Sequence, residues 1–137
     1  NDIQASMLLP QLKKMDSLRD RRETICNVYE EEFKRIKGIE FPKKLKNSIH
    51  ARHLFTIWVD PKSRDDCMHK IQQSNIGVAV NFRAIHLLDY FKKTFDFKPG
   101  MFPNAELIGN STITIPMYVK LSDHEQGYVI QKVKELG

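Results

Sequence analysis

Four side chains able to recognise an anion or a sugar lie close together between positions 81 and 86: Asn81, Phe82, Arg83 and His86. The Arg83 guanidinium is a planar fork suited to phosphate or carboxylate, and an imidazole such as His86 donates or accepts near neutral pH. Asn81 adds an amide, and Phe82 adds a flat apolar surface against which a base or a sugar packs. The same spacing also fits an exposed arginine beside a histidine satisfied by nearby backbone. Spacing alone leaves both readings open.

Nothing else in the chain reads as an engine for covalent chemistry. A Gly-x-Ser-x-Gly elbow, a P-loop and a dinucleotide fingerprint are all missing, so the familiar signals for acyl transfer, nucleotide hydrolysis and hydride transfer are absent. No carboxylate pair stands out as an acid and base, and Asp65 and Asp66 are explained by the start of a helix. His50 and His53 are three apart, which on a strand places them on opposite faces, and Cys67 and His69 do not complete a zinc set. No metal is therefore expected, and no catalytic residue is assigned. His124 and Asp123 fit a helix's first turn. Cys26 and Cys67 match neither a zinc motif nor a disulfide framework, which points to a reducing cytoplasm.

The elements that position these residues follow from composition and periodicity. The chain has 137 residues, 41% hydrophobic and 28% charged, as expected of one globular α+β domain spanning 1–137. No apolar run reaches the ~18 residues that would cross a bilayer, so no membrane partner is expected. Ile3, Met7, Leu8, Leu12, Met15, Leu18, Ile25, Val28, Tyr29, Phe33 and Ile36 repeat every three or four positions and predict one long helix over 1–37. Pro10 is expected to kink or break it near its start, and Gly38 to cap its end. So long an apolar stripe exceeds what the remaining hundred residues can cover.

His53 to Asp60 predicts a strand buried on both faces. Ser63 and Asp66 are an N-cap pattern for a helix running to about Ser74, and Val78 to Phe82 predicts a second strand. Short helices are expected over 87–95 and 104–110, the latter led by Pro103 in its first turn. Thr112 to Pro116 predicts a third strand, and Ser122 with Glu125 a capping box for a last helix. The expected fold is a small antiparallel sheet of about three strands covered by helices, with a long N-terminal helix.

The net charge of +5 concentrates in Lys34, Arg35, Lys37, Lys43, Lys44 and Lys46. Straddling a helix end and Pro42, these fit a solvated, dipole-matching cluster better than a nucleic-acid site. An independent anion- or nucleic-acid-binding module on 34–46 is one alternative function, and a non-catalytic regulatory domain is another.

Three ordered stretches carry a family resemblance. Asn1-Asp2-Ile3-Gln4-Ala5 followed by Gln11-Leu12, Ile76-Gly77 through His86, and Phe102-Pro103-Asn104-Ala105-Glu106 with Ile115-Pro116-Met117-Tyr118 and Leu121-Ser122 resemble motifs of the DegT/DnrJ/EryC1/StrS family. Those are pyridoxal-phosphate-dependent sugar aminotransferases of fold type I, and the likeness is to their C-terminal small domain only. The Phe-Arg-Ala-x-His form is similar to enzymes that aminate a 4-keto sugar on a lipid A precursor nucleotide. Asn81 and Phe82 depart from the family's usual His and Tyr. The resemblance implies a parent aminotransferase of nucleotide sugars, serving surface polysaccharide or related glycan biosynthesis. It implies that the Schiff-base lysine and the cofactor-phosphate residues lie in a large domain upstream of Asn1, so this chain alone is expected to bind no pyridoxal phosphate. Asn81, Phe82, Arg83 and His86 become the candidate substrate contacts, in an enzyme that works as a homo-oligomer.

Overall fold

The computed structural model describes residues 2–137, and Asn1, part of the first resembling stretch, lies outside the described residues. Helix α1 runs from Asp2 to Phe33, about 48 Å at 1.5 Å per residue, and passes through Pro10 without ending. It stops four residues short of the expected Lys37. Ile36 N–H bonds to the Phe33 carbonyl, tightening the chain into turns, and Gly38 takes a left-handed φ of 82° that L side chains resist. That reversal buries Ile39 and lays Glu40 beside Trp58 as an isolated bridge.

Strand β1 (Phe55–Trp58) pairs antiparallel with β2 (Thr112–Ile115), Phe55 opposite Ile115 and Trp58 opposite Thr112. All of β2 is buried. β1 buries Phe55 and Ile57 but leaves Thr56 and Trp58 half-covered, so it is enclosed on one face rather than two. The third strand expected over 78–82 shrinks to one residue. Ala79 exchanges both backbone bonds with Thr114, at 3.2 and 2.7 Å, and the chain then leaves the sheet.

The helices that follow are α2 (Arg64–Gln73), α3 (Asp89–Phe95), α4 (Pro103–Ser111) and α5 (Asp123–Lys134), with a 3-10 turn over Ile85–Leu87. α1 packs on α5, α2 on β2, and α4 on β1. The core lies between them. Ile25, Tyr29 and Phe33 from α1 meet Ile57, Ile113 and Val133, all fully buried. Tyr29 stacks with Phe33 at 5.4 Å, and its Oη donates to the Pro116 carbonyl at 2.8 Å. Only the second half of α1 takes part. Residues 2–17 are exposed on every side, including Ile3, Met7, Leu8 and Leu12.

Candidate functional site

The chain leaving Ala79 crosses onto α4. It can do so because Gly109 lacks a side chain: a Cβ there would stand 2.7 Å from the Ala84 nitrogen and 3.3 Å from the Phe82 carbonyl oxygen. The Asn81–Phe82 peptide bond on this segment is cis. Ala84 is buried against the helix, while Phe82 (67% exposed) and Arg83 stay outside. The 3-10 turn then carries His86 inward, to 6% exposure.

His86 is held by a carboxylate, not by backbone. Its Nε2 lies 2.9 Å from Glu106 Oε1, and the same oxygen accepts the Gly100 N–H at 2.7 Å. The bond from His86, supported by the one from Gly100, holds the Glu106 carboxyl below its ordinary range. An ionised carboxylate only accepts, so the imidazole Nε2 carries the hydrogen. The Phe102 ring meets the imidazole edge-on at 4.8 Å, and the Phe97 ring at 6.5 Å.

A cavity of about 500 Å³ opens above this pair, lined by Phe82, Arg83, His86, Phe91, Phe97 and Phe102 among others. Of the four candidate residues, then, the structure gathers Phe82, Arg83 and His86 around one space. Half-buried Asn81 does not line it. The chemistry on offer is recognition: an aromatic wall for a flat or apolar ring face, and one guanidinium at the rim for an anion. Glu106, Gly109 and the aromatic trio escaped the sequence reading as site residues. Glu106 lies in the Phe102–Glu106 stretch, whose family resemblance assigned it no role, and a glycine inside a helical pattern is itself a signal of close packing.

Elsewhere the polar clusters are structural. Arg52, 5% exposed, bonds Glu23 through Nε at 2.7 Å and meets Glu30 at 2.7 Å, pinning the loop before β1 onto α1. Within the basic stretch, Lys34 pairs with Glu31 and Lys44 with Glu23. His50 Nδ1 accepts the Arg52 N–H. Among the described residues no group of three or more His, Cys, Asp and Glu could hold a metal ion, and no helix is long and apolar enough to cross a membrane.

The described residues do not fit a pyridoxal phosphate site. A lysine that condenses with a carbonyl cofactor is activated by desolvation, yet no described lysine is buried and none lines the cavity above His86.

Comparison with known proteins gives a consistent picture. The family described as the DegT/DnrJ/EryC1/StrS aminotransferases matches residues 1–134. An uncharacterised protein of Methanocaldococcus jannaschii is 37% identical over 139 residues, spanning 98% of this chain and 36% of its own length. The spore coat polysaccharide biosynthesis protein SpsC of Bacillus subtilis is 34% identical, with 98% of this chain and 36% of SpsC covered. A candidate sugar aminotransferase of Streptococcus pneumoniae, solved in its pyridoxamine phosphate form, superposes with a TM-score of 0.91 at 28% identity. That match spans 99% of this chain and 35% of the other. The chain thus spans about a third of the length of the relatives it matches.

Proposed function

The chain belongs to the DegT/DnrJ/EryC1/StrS aminotransferase family, and on that premise we propose that it is the C-terminal small domain of a pyridoxal-phosphate-dependent nucleotide-sugar aminotransferase. In that enzyme it walls the substrate entrance, and alone it is inactive. The overall reaction moves an amino group and a hydrogen from an amine donor to the carbonyl carbon of a keto sugar. The donor leaves as the matching carbonyl compound. The product suits surface polysaccharide, the process named for the Bacillus subtilis relative.

The observation that carries this reading is the pairing of a near-complete family match with relatives about three times as long. The large domain supplies the cofactor and its lysine, which this chain does not offer. The exposed apolar first half of α1 lies against that domain or a second copy of the chain in a cytoplasmic homo-oligomer. The chain's own residues bind and shape access: Arg83 meets the nucleotide's phosphates, Phe82 packs on a ring face, His86 floors the cavity, and Asn81 sets the approach to it.

The test is amine transfer by the full-length gene product. Arg83→Ala is expected to raise KM for the keto sugar nucleotide about tenfold to a hundredfold while kcat changes little, the pattern of a lost ground-state contact. Stoichiometric imine formation between pyridoxal phosphate and a lysine of this chain alone would overturn the assignment.

A further inference from the structure

We infer that Gly109 and Glu106 of α4 are positioning residues for substrate recognition, seating the Phe82–His86 segment and thereby setting affinity for the keto sugar nucleotide. This rests on the function proposed above. Neither residue lines the cavity, and each acts through residues that do.

Their spacing of three places both on one face of α4. Gly109 sets how near the segment can come. Backbone atoms of Phe82, Arg83 and Ala84 stand 3.3, 3.3 and 2.7 Å from where a Cβ would be, and all are main-chain atoms that cannot swing aside. Even one methyl must therefore push Phe82 and Arg83 away from the helix. Glu106 ties the cavity's two walls together. One carboxylate oxygen holds His86, from the first wall, and Gly100, from the turn between Phe97 and Phe102 that forms the second. Without that oxygen a buried imidazole N–H and a backbone N–H both lose their acceptor.

A helix-centre glycine costs stability relative to alanine unless packing requires it. α5 supplies the contrast: a Cβ on Gly127 would meet nothing within 4 Å. Gly127→Ala is thus the matched control for Gly109→Ala.

The experiment uses the full-length aminotransferase and steady-state kinetics with the keto sugar nucleotide. Gly109→Ala and Glu106→Ala are expected to raise KM by about tenfold or more, with kcat moving much less. Glu106→Gln, which keeps an acceptor oxygen, recovers most of the loss, and Gly127→Ala matches wild type. An unchanged KM in Gly109→Ala and Glu106→Ala, or a fall in kcat alone, overturns the inference. A second readout is independent of the reaction: tryptic cleavage after Arg83, followed by mass spectrometry against cleavage after Lys62. Gly109→Ala is expected to speed the first severalfold relative to the second, and an unchanged ratio overturns the seating. If the wild-type enzyme transfers no amine, the proposed function fails while the cleavage ratio still decides the seating.

Discussion

Two regions of this chain use apolar side chains in opposite ways. Around the sheet, α1 beyond Arg21, β1, β2 and α5 turn theirs inward, and Ile25, Tyr29, Phe33, Ile57, Ile113 and Val133 are completely enclosed. Between Asn81 and Ile108 several large apolar side chains face out: Phe82 is 67% exposed, Tyr90 67%, Leu107 58% and Phe95 55%. In that second region the segment is fixed by a helix glycine and one shared carboxylate oxygen rather than by a core. The first region holds the fold. The second leaves large apolar side chains exposed on this domain, the property that a recognition wall or an interface requires.

Truncation gives the largest expected contrast between the regions. Ile113→Ala removes a fully buried side chain of β2 from the core and is expected to cost about 4 kcal/mol. Leu107→Ala, on the exposed side of α4, is expected to stay within about 0.5 kcal/mol. Urea denaturation of the two variants checks this. Comparable losses would erase the distinction and make the second region part of the core.

The Arg52 cluster belongs to the first region and sharpens the comparison through charge. Glu23→Ala leaves a buried guanidinium with Glu30 as its remaining close carboxylate partner and is expected to cost about 3 kcal/mol. The bond from Arg52, supported by Lys44, lowers the Glu23 carboxyl from an ordinary 4.5 to about 2. A pKa lower in the folded state means the unfolded chain binds the proton more readily. The contribution is therefore complete above about pH 4.5 and is lost as pH falls toward 2. Stability measured across that window should decline in wild type and decline less in Glu23→Gln. Parallel curves would show that the pair contributes nothing.

How much of this could be read beforehand differed between the same two regions. Helical periodicity located α1, cap patterns located α2 and α5, and an apolar run and a β-branched run located β1 and β2, because all of these signals are local in sequence. What periodicity could not say was which half of α1 would be covered, since Met7 and Leu8 fit the stripe as well as Ile25 and Tyr29 do. Val78 to Phe82 carried a strand's composition, yet only Ala79 pairs, because the chain is diverted onto Gly109. Arg83 and Phe82 were legible as candidate site residues from their chemistry, and the three motif stretches carried the family. Glu106 was not legible as the partner of His86, twenty positions away, nor was Glu23 as that of Arg52. Pairings across that much chain are set by how helices dock, which residue spacing does not encode.

The smallest contrast concerns two serines with the same local sequence signal. Ser122 and Ser63 each precede a helix with an acidic residue three positions on. Ser122 has the extended backbone of a true cap: its Oγ accepts the Glu125 N–H, and its own N–H donates to the Glu125 carboxylate at 2.8 Å. Ser63 is instead drawn into the turn that Asp60 organises. Asp60 Oδ1 accepts the Lys62 N–H at 2.8 Å, and Ser63, with ψ near 0°, makes no side-chain cap bond to α2. Ser122→Ala should therefore cost about 1 kcal/mol, and Ser63→Ala no more than a few tenths. Thermal unfolding of the two variants separates the cases. Because α5 packs directly on α1, fraying at Ser122 loosens the enclosed region from its edge, whereas the loss at Ser63 leaves a turn that Asp60 still holds. Equal shifts in the two variants would mean that hydroxyl geometry at the helix start does not govern either.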